Sequence, residues 1–220
     1  MTTIEMLTWV RGPGLVIAIG IFLAGTLVRL IEMLMLGRRK DLSEPRNAAS
    51  AKYGWRLVFT RFLPPFAASD VPAIAFLASY VFHIGLFLIV FFYVPHITVF
   101  KELIGFGWPS LPAWFIDAVT LATMIAMFVV LWHRISDKVK NYLSGFNDYY
   151  SWFITIFPIV TGYFAFHRLV LPYNDMLVIH ILSVELLLIS LPFTKLMHAF
   201  SFIFSRWYTG EAAGRKGIKL

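Results

Sequence analysis

The side chains of this 220-residue chain that could do metal or redox chemistry are six histidines, His83, His96, His133, His167, His180 and His198, with no cysteine beside them. Without thiolates the chain holds no disulfide, no cysteine-ligated zinc or iron–sulfur cluster, and no haem attached through C-x-x-C-H. Any redox centre must be held by imidazole. His180 and His198 are 18 residues apart. At about 100° per residue that is five full turns, so on one continuous helix both project from one face, about 27 Å apart. One helix would thereby give one imidazole to each of two stacked b haems.

These histidines lie in apolar surroundings that dictate the elements around them. Of the chain, 59% is hydrophobic and 14% charged, against about 25% charged in globular proteins, which excludes a soluble enzyme. Five apolar runs are long enough to cross a bilayer: about 13–36, 72–94, 112–131, 150–166 and 176–200. The expectation is a single all-α integral membrane domain over 1–220, a bundle of five transmembrane helices in a cell inner membrane. The fourth run is the shortest and is interrupted by Pro158 and Gly162. The first does not read as a cleaved signal peptide, because Glu5 precedes Arg11 and no small-residue cleavage site follows.

Charge orients the bundle. Arg38, Arg39, Lys40, Arg46, Lys52, Arg56 and Arg61 lie in the 37–71 loop, Arg134, Lys138 and Lys140 between the third and fourth runs, and Arg206, Arg215, Lys216 and Lys219 in the 201–220 tail. The other side carries Arg11, Lys101 and Arg168. This bias places the N-terminus outside and the C-terminus in the cytoplasm, and accounts for the net charge of +7 without a nucleic-acid partner. A short interfacial helix is expected around 52–62.

Depth then sorts the histidines. His83, halfway along the second run, pairs with His198 on the inner side, and His96 at its outer end pairs with His180. On an ideal helix His96 faces about 220° away from His83, but Pro95 removes a backbone donor and lets the helix unwind there. His167, beside Arg168 at the outer end of the fourth run, is the rival for the outer ligand or else a quinone-pocket residue. His133 reads as an interfacial histidine without a redox role. Lys195, one turn before His198, suits a haem propionate or snorkels. Glu185, in apolar context, relays protons or hydrogen-bonds a ligand ring, and both readings stand.

The segment VIHILSVELLLISLPFTKLMHAFSF resembles the last transmembrane helix of the gamma subunit of respiratory nitrate reductase, including the 18-residue histidine spacing and the PF-[ST]-[KR]-L-x-H ending. VFHIG resembles that family's first histidine-bearing helix. The resemblance implies a five-helix dihaem cytochrome b, with His83 and His198 on the inner haem and His180 on the outer. The nitrate reductase pattern has a second histidine ten residues after the first, where this chain has Tyr93. The PHI motif three residues later is more similar to relatives in the transmembrane redox complexes of sulfate reducers, whose cytoplasmic subunit resembles heterodisulfide reductase.

The function this implies is electron transfer between menaquinone or ubiquinone and a cytoplasmic iron–sulfur subunit, heterodisulfide-reductase-like or nitrate-reductase-like, in a complex with other membrane subunits. Its cofactors would be two haems b, held by His83, His198, His180 and His96, with Lys195 near a propionate. A quinone pocket would draw on His167, Arg168 and Lys101, among the few polar groups at that level that also include Asp117, Tyr173 and Asp175. The competing classes are a proton-coupled transporter, which paired half-helices or internal repeats would favour, and a haem-free structural anchor.

Overall fold

The computed structural model describes residues 2–36, 44–46, 50–62 and 73–218. Arg38, Arg39, Lys40 and Lys219 lie outside these. The described residues are helical without strands: α1 (Thr3–Met35), α2 (Ser50–Thr60), α3 (Ala73–Phe92), α4 (Val94–Ile104), α5 (Ala113–Ser136), α6 (Lys138–Leu143), α7 (Phe146–His167), α8 (Tyr173–Ser190) and α9 (His198–Arg215). Five segments are long and apolar enough to span a membrane: α1, α3, α5, α7 and Tyr173–Phe193. The chain is therefore a multi-pass, all-α membrane protein, and its exposed apolar side chains suit lipid. Trp114 (74% exposed) and Trp132 (72%) stand near the two ends of α5, about 27 Å apart along the axis, as interfacial aromatics do.

Residues 1–18 and 71–187 form one compact unit, and 19–70 and 188–220 a second. In the first, α3 packs on α5 at Gly85, where a Cβ would collide with the buried Thr123 hydroxyl. The α5–α7 pair is fixed by Trp152 Nε1 donating to the Met127 carbonyl at 2.8 Å, and by Arg134 meeting the buried Asp148 at 2.8 Å. The end of α3 is extended at Tyr93 (φ −86°, ψ 130°), and Pro95 starts α4. The carbonyls this frees are recovered, since Phe91 accepts from Trp108 Nε1 at 2.5 Å and Phe92 from the Leu111 amide at 3.0 Å. Asp137 caps α6, and the amides of Lys140 and then Val139 hold its exposed carboxylate below the ordinary aspartate range.

In the second unit α2 and α9 meet through small residues. Gly54 lies under Trp207, and Gly210 and Gly214 lie against Tyr53, where any Cβ would come within 3 Å of the partner helix. The helix expected around 52–62 is thus present, but Leu57 and Val58, on its aliphatic side, are buried in this unit. Arg206 lies over the rings of Phe62 and Phe202, 4.9 and 5.3 Å from their centroids. The C-terminal part of α1 is tied to the end of the fifth span by Arg29 Nε donating to the Pro192 carbonyl at 3.3 Å, and Gly25 lets Pro192 approach.

Three spans differ from the sequence reading. The first begins at Thr3 and passes Pro13 through a π-helical turn, Val10–Gly14, a wider turn that accommodates a residue with no N–H. The fourth is one unbroken helix through Pro158 and Gly162. The fifth is not one helix over 176–200. It ends at Ser190, then makes two 3-10 turns, Leu191–Phe193 and Lys195–Met197, around an extended Thr194 (φ −119°, ψ 177°). Pro192 cannot donate to the helical ladder, and Thr194 caps the next turn through its hydroxyl on the Leu196 amide at 3.4 Å. The count of five turns between His180 and His198 therefore does not describe their relative facing.

Candidate functional site

The site begins with Pro158 and Gly162, one helical turn apart and so on one face of α7. The ring of His180 on α8 fills the space in front of them. A Cβ at Gly162 would come within 2.9 Å of His180 Cε1 and 3.2 Å of Nδ1, so only glycine admits the ring here. Nδ1 lies 3.1 Å from the Pro158 carbonyl and 3.3 Å from the Thr161 hydroxyl. Thr161 also bonds Ser183 at 3.1 Å, joining the two helices beside the ring. A carbonyl can only accept, so the proton is on Nδ1 and Nε2 is the nitrogen with a lone pair to give.

His96 reaches the same neighbourhood because α3 breaks before it. With Tyr93 extended, the Ile89 carbonyl is free to accept from His96 Nδ1 at 2.8 Å, seven residues back along the chain. The unwinding expected from Pro95 thus occurs, and the turned ring is held by the carbonyl that the break releases. Tyr93, the residue at the position where the nitrate reductase pattern has histidine, packs edge-on against His96 at 5.3 Å and against Phe166 at 6.1 Å.

The rings of His96 and His180 have centroids 6.2 Å apart and planes within 20° of parallel. Among the described residues neither Nε2 has a hydrogen-bond partner, and no group of three or more His, Asp or Glu side chains converges. Two imidazoles without carboxylates are an incomplete shell for zinc or a mononuclear iron; they would suit a group that brings most of its own metal ligands, as a haem does.

His83, in the first unit, has Nδ1 2.7 Å from the Ser79 carbonyl; His198, in the second, has Nδ1 2.7 Å from the Lys195 carbonyl. All four candidate ligands therefore donate Nδ1–H to a main-chain carbonyl, the arrangement that orients and enriches a metal-binding imidazole. The other two histidines are engaged differently. His133 Nε2 accepts from Lys140 Nζ at 2.7 Å. His167 Nε2 lies 2.8 Å from Asp117 Oδ1, with Tyr163 against its ring at 4.3 Å. Asp117 thus holds Nε2 and leaves Nδ1 as the nitrogen with a lone pair to give.

Among the described residues, Lys101 on α4 and Arg168, the left-handed cap of α7 (φ 54°), make no hydrogen bond or ion pair with His167. The polar neighbour of His167 is instead Asp117. Lys195, in the turn before α9, is exposed and supplies its carbonyl to His198. The sequence reading missed Gly162 and the Pro158 carbonyl as the seat of His180, having taken the pair only as a kink. Their one-turn spacing was the signal.

Neither a family model nor a solved structure matches the chain. A protein of the sulfate reducer Nitratidesulfovibrio vulgaris, strain Hildenborough, is 31% identical over 210 residues, 93% of this chain and 92% of that protein. The chain belongs to the same family as that Nitratidesulfovibrio vulgaris protein.

Proposed function

We propose that the protein is a dihaem b-type cytochrome, the membrane subunit that carries electrons between a membrane quinone and a cytoplasmic iron–sulfur subunit. His96 and His180 hold one haem, and His83 and His198 the other. The observation that carries this reading is the Nδ1 pattern: among the described residues, these four histidines give that proton to a backbone carbonyl. When bound, a haem supplies a one-electron couple, and the chain supplies axial nitrogens, their tautomer and an apolar surround. Haem released from the purified protein and measured as its pyridine complex should amount to two per chain; none would overturn the proposal.

The direction considered is quinol oxidation at the outer side. His167 donates Nε2–H to Asp117, which leaves Nδ1 as the nitrogen able to take a proton from a quinol hydroxyl and pass it to the outer water. Arg168, capping α7, and Lys101, on α4 after the second span, are both exposed and would attract the anionic form of the ring. Replacing His167 by alanine should lower quinol oxidation at least about 100-fold, the usual contribution of a positioned base, with both haems retained. Loss of one haem would instead make His167 a ligand, and unchanged turnover would remove it from the site.

On the inner side, the basic surface is the docking face for the iron–sulfur subunit. Much of the 201–220 tail belongs to α9, which packs on α2, so removing residues 207–220 would also strip α2 of its support. Charge reversal at the exposed Lys52, Arg56 and Lys216 tests docking without that damage. The triple Glu variant should recover at least about ten-fold less partner on co-purification, with haem content unchanged; normal stoichiometry would contradict it.

A further inference from the structure

We propose that Glu185 is a proton-carrying residue in the membrane-spanning part of the protein, its carboxylate taking up one proton for an electron the protein receives and releasing it when that electron leaves. The coupling rests on the electron-transfer reading above; the place rests on geometry. Glu185 is 6% exposed, and its Oε1 is fully buried with no hydrogen-bond partner among the described residues. The wall in front of Oε1 is Gly14 of α1, where a Cβ would stand 2.6 Å from it, with the Trp9 ring 2.8 Å from the same point. Glycine thus makes the space that the carboxyl group occupies. A carboxylate there, against a tryptophan ring and with no partner on Oε1, is poorly solvated, so the charge of an arriving electron suffices to make it take up a proton.

The wall has a matching peculiarity. Gly14 closes the π-helical turn Val10–Gly14, which contains Pro13. Proline has no N–H, so a carbonyl of the turn before it lacks its helical donor. The O–H of a protonated carboxyl group is the kind of donor that such a backbone can use. Among the described residues no ionisable group is paired with Oε1. On α1 the charged residue within a turn of Gly14 is Arg11, which is exposed and in no ion pair among the described residues. On α8 the nearest titratable residue is His180, five positions earlier, whose Nδ1 is taken by Pro158. At Ser183, two residues before Glu185, α7 contributes the Thr161 hydroxyl, which is not a titratable group.

The balance is one for one. An electron from a quinol enters the protein, and carboxylate plus a proton gives the neutral acid; when the electron leaves, the acid returns its proton. A buried site would thereby keep its net charge constant, so the midpoint potential falls as pH rises.

The test uses the full chain in lipid nanodiscs under a potentiostat. The reduced-minus-oxidised infrared spectrum should carry the carbonyl band of a carboxylic acid that shifts in heavy water. The band should be absent in Glu185→Gln and return displaced in Glu185→Asp, and the pH dependence of the midpoint should flatten in Glu185→Gln. The same acid band in wild type and Glu185→Gln would overturn the proposal. If Glu185→Gln does not assemble, Gly14→Ala, which puts a methyl 2.6 Å from Oε1, must move the band, and an unmoved band overturns it. A wild-type sample with no haem absorbance change would defeat the electron-transfer reading and the coupling with it; a haem change without the acid band would defeat the role of Glu185 alone.

Discussion

His96→Ala and His180→Ala should each abolish the same haem component while leaving the other at full amplitude. The two rings stand 6.2 Å apart and nearly parallel, each oriented by its own backbone carbonyl, so neither can replace the other. On the proposed ligation, losing one imidazole would leave that haem a single protein nitrogen, too little to hold it through detergent extraction or keep its low-spin spectrum. His83→Ala and His198→Ala should delete the complementary component. If His96→Ala and His83→Ala remove the same component, the pairing is wrong.

Gly162→Ala should have the same spectral effect as His180→Ala, although it removes no ligand. The added methyl would stand 2.9 Å from His180 Cε1 and 3.2 Å from Nδ1. Overpacking of this kind costs about 1–3 kcal/mol, whereas the bond holding the ring to the Pro158 carbonyl contributes about 0.5–1.5 kcal/mol. The ring therefore yields first. Optical spectra of Gly162→Ala and Gly162→Val should show the His96/His180 component lost or turned high-spin, more completely in the larger variant, with the other component intact. Retention of both components in Gly162→Val would show that the ring is not held against α7.

Much of this architecture was legible in the chain because lipid imposes so few solutions on it. Apolar runs of sufficient length gave five spans near where they stand, and Pro95 announced the break that turns His96. The rest required partners that are distant in sequence. Pro158 interrupts a donor ladder on paper, yet α7 runs straight through it, and the carbonyl of that residue serves His180, 22 residues away. The regular spacing of His180 and His198 assumed one helix, but Pro192 and the extended Thr194 replace the last turns with 3-10 geometry. Asp117 was visible as one polar residue among several, and only packing of α5 on α7 sets it 2.8 Å from His167, 50 residues on. Gly14 and Glu185 meet only once the first and last spans are side by side.

The most direct test of the cytochrome reading is a reduced-minus-oxidised absorption spectrum of the purified, full-length protein. Two low-spin haems with paired imidazoles should give a sharp alpha band that titrates in two components, one of them missing in His96→Ala. A spectrum without that band, from protein folded and purified with haem available, would contradict the account.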